Sequence, residues 1–154
     1  MFDIKSLKTL EYDKILDQLA SFAQSQGGKE KARALTPFET YDEVVHSLNE
    51  TEEAERTLFD FSVNPSFSVD DVDEALGRAS KGAVLSIADI LKVGRTLRVA
   101  RRLKKAIYTV NGVPILTSKV QGLYDNIDLE NRIFDSFISE TEVSDNASAD
   151  LRSI

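Results

Sequence analysis

Apolar residues recur at three- and four-residue spacing along most of the chain, and helix breakers are few, so the pattern predicts an all-α protein. The first stripe, Ile15, Leu16, Leu19, Phe22 and Ala23, predicts a helix over residues 12–25. Gly27-Gly28 then reads as its C-terminal stop, and a short helix over 29–35 ends ahead of Pro37. Thr40 and Glu43 fit a capping box opening a helix that runs to about residue 61. Its apolar stripe is Val44, Leu48, Thr51, Leu58 and Phe59, with Glu55 near the centre. A buried lone carboxylate is costly, so Glu55 is expected to meet a basic partner or a gap in packing. Asn64-Pro65 marks a loop. A short helix with an acidic first turn follows over 70–79, closed by Lys81-Gly82. Ser86 and Asp89 cap the longest helix, 87–108. After the turn Asn111-Gly112-Val113-Pro114 come helices over 115–124 and 128–139. The count is six to eight helices in a bundle, with a small hairpin possible in the polar stretch 140–147. Ser148 followed by Ala149-Asp150-Leu151-Arg152 reads as a further helix start. A single turn is unstable alone, so residues 1–154 are expected to be one helical domain cut from the N-terminal part of a longer chain.

Composition narrows the chemistry. The 154 residues carry a net charge of −7, no cysteine and one histidine, His46. Disulfides, iron–sulfur clusters and thiol catalysis are excluded, as is a histidine-rich metal site. The longest uncharged run, 106–118, is interrupted by Gly112 and Pro114 and falls short of the roughly 20 apolar residues of a membrane helix. The beginning Met1-Phe2-Asp3-Ile4-Lys5 lacks the pattern of a secretory signal, so the expected location is the cytoplasm, with no membrane contact.

Candidate catalytic and metal motifs dissolve on inspection. Gln26-Gly27-Gly28-Lys29-Glu30 has Ala23 and Glu30 where a phosphate loop needs Gly and Ser or Thr. Asp70-Asp71-Val72-Asp73-Glu74 lacks the alternation and glycine of a calcium loop, and reads instead as an acidic helix start. His46 has no catalytic arrangement around it. No catalytic residue, metal ligand or cofactor-binding residue is expected within the chain.

Charge separation is the strongest local signal. Residues 40–76 hold eleven acidic residues against one basic, Arg56, whereas 86–105 hold seven basic against one acidic, Asp89. At about 100° per residue, Arg95, Arg98, Arg101, Arg102 and Lys105 share an arc of about 120°. Ile90, Val93, Leu97, Ala100, Leu103 and Ile107 fill another arc. The cationic face is expected either to be neutralised by acidic helices or to contact nucleic-acid phosphate through those five residues. Gly94 lowers helix propensity, and close helix packing would explain it.

Five stretches, in order, resemble the N-terminus of the second bacterial branch of MutS (MutS-II type). They are Lys8-Thr9-Leu10-Glu11-Tyr12-Asp13-Lys14-Ile15-Leu16, then 28–37, Gly82-Ala83-Val84-Leu85-Ser86, 96–104 and 145–154. These proteins are relatives of DNA mismatch-repair MutS that often carry a Smr nuclease domain. The resemblance implies a non-enzymatic core or lever region that leads into a long helical arm. The ATPase and endonuclease motifs would lie downstream, with ATP and magnesium bound there, and the full protein would be a homodimer. DNA, branched or duplex, or the ribosome would be its client, in recombination suppression or stalled-ribosome processing. Two rival readings are a direct nucleic-acid-binding module using helix 87–108 and a free-standing helical protein–protein adaptor.

Overall fold

The computed structural model describes residues 4–60 and 69–148. The loop expected at Asn64-Pro65 and the helix start expected at Ala149-Asp150-Leu151-Arg152 lie outside them. Among the described residues there are eight helices and one two-stranded hairpin, so the protein is mostly all-α. The chain forms two compact units: 1–68 with 107–120, and 69–106 with 121–154.

The first unit holds α1 (Ile4–Thr9), α2 (Tyr12–Phe22), α3 (Gln26–Arg33) and α4 (Tyr41–Asp60), together with α7 (Pro114–Gln121). Glu11 joins α1 to α2 in the left-handed region, φ 52°. The Gly27-Gly28 pair is not a stop. α2 ends at Phe22 because Ala23 turns extended, and Ser25 then caps α3, its hydroxyl accepting from the Gly28 N–H at 3.1 Å. Both glycines therefore lie in the first turn of α3. A Cβ at position 28 would sit 3.0 Å from that hydroxyl. The capping box of α4 forms as expected. The Thr40 N–H donates to the Glu43 carboxylate at 3.1 Å, and the Glu43 N–H donates back to the Thr40 hydroxyl. Hydrogen bonds from Thr40 hold the Glu43 carboxyl below its ordinary pKa.

α4 is rotated relative to the sequence reading. Its buried positions are Glu53 and Thr57, each under a tenth exposed, whereas Tyr41, Val44, Leu48, Leu58 and Phe59 face outward. Glu55 is exposed as well. The reason is polar. Both Glu53 carboxylate oxygens accept from the first turn of α7, from the N–H groups of Ile115 (3.2 Å) and Leu116 (2.9 Å). Arg56 donates to the Gly112 carbonyl at 2.9 Å, and Lys119 pairs with Glu50. Charge-assisted bonds to a helix N-terminus outweigh the burial of a broken apolar stripe. The turn they grip requires Gly112, whose φ is +75°. The core beside them includes Ala20, Ile107, Val113 and Val120. The α2 stripe also stays outside, with Ile15, Leu19 and Phe22 exposed and Ala20 buried.

The second unit holds α5 (Asp73–Ala79), most of α6 (Ile87–Thr109), α8 (Ile127–Ser136), the strands β1 (Phe137–Ser139) and β2 (Glu142–Val143), and a 3₁₀ turn over Asp145–Ala147. α6 opens on the expected cap, the Asp89 N–H donating to the Ser86 hydroxyl at 3.2 Å. Asn126 caps α8 by accepting from the Leu129 N–H at 2.9 Å. α8 ends earlier than the periodicity predicts. Phe137 is already extended, and residues 137–139 form the first strand of the antiparallel hairpin, with Phe137 opposite Val143. The core of this unit includes Ala75, Leu91, Leu97 and Ile133.

Gly94 is where α6 meets α8. A Cβ there would stand 2.9 Å from Ile133 Cγ2 and 3.1 Å from the Phe134 ring. Gly94→Ala is therefore expected to destabilise by about 1–3 kcal/mol, overpacking outweighing the propensity gained. Leu97→Ala, at a position 8% exposed, should cost roughly 2–5 kcal/mol. Denaturant midpoints check both; an unchanged midpoint for either substitution contradicts the packing described.

Candidate functional site

The five sequence-selected cations divide into two groups. Arg95 donates through Nε to Asp70 at 2.6 Å. Arg98 donates through Nε to Glu130 Oε1 at 2.9 Å. Arg101 binds the same carboxylate twice, Nε to Oε2 at 2.8 Å and Nη2 to Oε1 at 3.0 Å. Arg102 and Lys105, from the same helical arc, are exposed. Beside them Lys104 donates to Asp125 at 2.9 Å and to the Leu123 carbonyl at 3.2 Å. The arc is thus one surface in the sequence but two environments in the fold, because Asp70, and Glu130 of α8, engage its stretch from Arg95 to Arg101, whereas Arg102 and Lys105 follow further along the helix.

Glu130 is the centre of this arrangement. Its side chain is 3% exposed, whereas those of Arg98 and Arg101 are 41% and 35% exposed. Burial alone would raise its pKa, but the two guanidinium groups reverse the balance. The Arg101 hydrogen bonds act most strongly, with Arg98 adding to them, and hold the carboxyl down at about 2. In return the carboxylate raises the pKa of Arg101. The Arg98 guanidinium lies over the Phe134 ring, 3.6 Å from its centroid, adding a cation–π contact on the flank of the ion pair. One buried carboxylate facing two arginines leaves the cluster with a net charge of +1, its cationic groups turned partly to solvent.

Sequence reasoning missed Glu130. The signal was present: Glu130 precedes Ile133, Phe134 and Phe137 at spacings of three, four and seven, so it occupies an inward position of an amphipathic helix. Glu53 was missed for a different reason, since its partners are backbone N–H groups that no side-chain pattern announces. The other candidates find structural employment. Asp70 pairs with Arg95, Asp71 accepts from the Asp73 N–H at 3.1 Å, and Lys29 lies within α3. His46 is exposed on α4. Among the described residues no three His, Cys, Asp or Glu side chains converge to hold a metal ion, and no helix is long and apolar enough to cross a membrane.

Two outcomes test the cluster. Because the Glu130 carboxyl has its pKa lowered on folding, its stabilising contribution is complete above the ordinary carboxylate value. That contribution is lost as the pH falls from there through about 2. The denaturant midpoint should therefore drop more steeply over this range in the parent than in Glu130→Gln; parallel curves would count against the assignment. Removing both guanidinium groups, Arg98→Met with Arg101→Met, strands a buried charge and should cost about 3–5 kcal/mol at neutral pH. Chemical denaturation at pH 7 reads that loss, and a loss under about 1 kcal/mol would rule it out.

No protein-family model matches the chain. Individual proteins do. The Endonuclease MutS2 of Clostridioides difficile is 36% identical over 154 residues, 97% of this chain and 19% of that protein. The Endonuclease MutS2 of Alkaliphilus metalliredigens is 35% identical over 153 residues, again 97% of this chain and 19% of the relative. That of Finegoldia magna is 32% identical over 156 residues, 99% of this chain and 20% of the relative. The chain spans about a fifth of the length of the curated relatives it matches. Across almost all of its residues, the chain is homologous to a region of the Endonuclease MutS2 proteins.

Proposed function

We propose that these residues are a non-enzymatic structural region, the core or lever, of a MutS-like ATP-dependent DNA-binding protein. The observation that carries the reading is the Glu130 cluster. The arginines of α6 that resemble a phosphate-binding face are spent on a buried carboxylate of α8. A helix tied in this way is suited to holding its neighbours in a fixed arrangement and passing on a displacement. In this reading ATP and magnesium are bound outside residues 1–154, as are any nuclease groups. DNA or the ribosome is engaged by the whole protein, working as a homodimer in the cytoplasm.

Direct nucleic-acid binding by α6 is the second reading. It is favoured by one feature, the exposed pair Arg102 and Lys105. Arg98 is unsuited to testing it, because substituting Arg98 disturbs Glu130. The clean variant is Arg102→Glu with Lys105→Glu in the full-length protein, read by anisotropy with a four-way junction and with duplex DNA at several salt concentrations. The structural reading expects an affinity change below about threefold and an unchanged salt slope. If both residues contact phosphate, the salt slope falls by about two, and α6 becomes a binding surface.

A further inference from the structure

The outward face of α4 has a repeat that the described residues leave uncovered. Tyr41, Val44, Leu48, Thr51, Glu55 and Leu58 follow one another at spacings of three, four, three, four and three. That is the a/d alternation of a coiled-coil seam, sustained over about 25 Å at 1.5 Å per residue. All six are exposed: Tyr41 by 81%, Val44 by 38%, Leu48 by 63% and Leu58 by 61%, with Thr51 and Glu55 also on the surface. Phe59, 80% exposed, flanks the seam. The opposite side of the same helix is occupied by the bonds of Glu50, Glu53 and Arg56 to α7 and its preceding turn.

We propose that this face is a docking seam, and that its occupant is a basic amphipathic helix from the part of the same protein outside residues 1–154. The proposal rests on the reading of the chain as a region of a longer MutS-like protein. Two observations select the occupant. The relatives are about five times as long as the matched stretch, so most of such a protein lies elsewhere. The seam's one charged position is also acidic. Glu55 holds an a position and Glu52 lies beside it, while the single cation of α4, Arg56, is engaged by Gly112 and Glu52. Pairing with a second copy of α4 supplies no free cation. In parallel, Glu55 would face Glu55; antiparallel about the seam centre, it would face Val44. A polar residue at one a position fixes register and partner choice, so the incoming helix presents Lys or Arg opposite Glu55.

The test uses the full-length protein. Leu48→Cys lies in the seam, and Asn49→Cys is a neighbouring exposed position outside it. Each variant is labelled with a soluble maleimide against the parent as background, with far-UV circular dichroism to verify that both fold. Docking predicts that Leu48→Cys reacts at least about tenfold more slowly than Asn49→Cys. Adding Glu55→Lys should bring the Leu48→Cys rate up towards that of Asn49→Cys, and Glu55→Gln should do so less. Equal rates without Glu55→Lys overturn the seam. Protection that disappears on dilution assigns the face to a second copy and overturns the occupant. Protection unmoved by Glu55→Lys overturns its basic character. A reading frame that stops near Ile154 defeats the underlying reading instead.

Discussion

The second unit depends on a carboxylate that has almost no water around it. Glu130 is tolerable inside the fold only as an anion held by two guanidinium groups. Each of those groups comes from the same helix at a spacing of three. That constraint fixes several others. It requires α8 to cross α6 where the arginines are, it requires Gly94 at the point of closest approach, and it presses Phe134 under Arg98. An apolar contact of similar size would tolerate a shift of register. A buried ion pair with three hydrogen bonds does not, because every displacement exposes the charge to a poor environment. The cluster therefore contributes more to defining the arrangement than to net stability.

The first unit follows the same logic through a different chemistry. α4 turns its polar side inward because α7 begins there, with unpaired N–H groups that need an acceptor. Glu53 supplies both oxygens, and Glu50 and Arg56 bracket it one turn to either side. The result is a helix whose better apolar stripe faces away from its own unit. The exposed stripe of α2 repeats the pattern. Apolar faces left open in regular spacing are characteristic of an element that is a component of something larger, in keeping with relatives in which the matched stretch is about a fifth of the protein.

Much of the fold was legible. The helices other than α1, and the capping boxes at Thr40 and Ser86, follow from local chemistry, where the interacting residues are within one or two turns of one another; Gly94 signalled close packing but not its distant partners, Ile133 and Phe134. What was not legible came from partners distant in sequence. The inward face of α4 was misjudged because apolar spacing was weighed against nothing, while the decisive bonds run from Glu53 to backbone groups about 60 residues later. The Gly27-Gly28 pair was misassigned because a glycine can end a helix or open one, and only the Ser25 hydroxyl decides between them. On the candidate site, the sequence identified the arc of cations but not their division. An angular plot places Arg101 and Arg102 in one arc of about 120°; α8 ties the first to the buried Glu130 and leaves the second in solvent.

The ladder beneath α4 also has a mechanical meaning. A greasy helix contact lets a helix roll about its own axis at little cost, since one methyl replaces another. Directional bonds from Glu53 and Arg56 to backbone groups of α7 and its preceding turn do not; the buried Glu53 bonds contribute about 1.5–3 kcal/mol each, and the solvent-exposed Glu50–Lys119 pair adds little. Rolling α4 by even a third of a turn would break all of them together. Its azimuth is locked, and with it the compass direction in which Tyr41, Leu48 and Leu58 point. Torque applied to the outer stripe would accordingly reach α7 undiminished rather than being lost in slippage between the two helices.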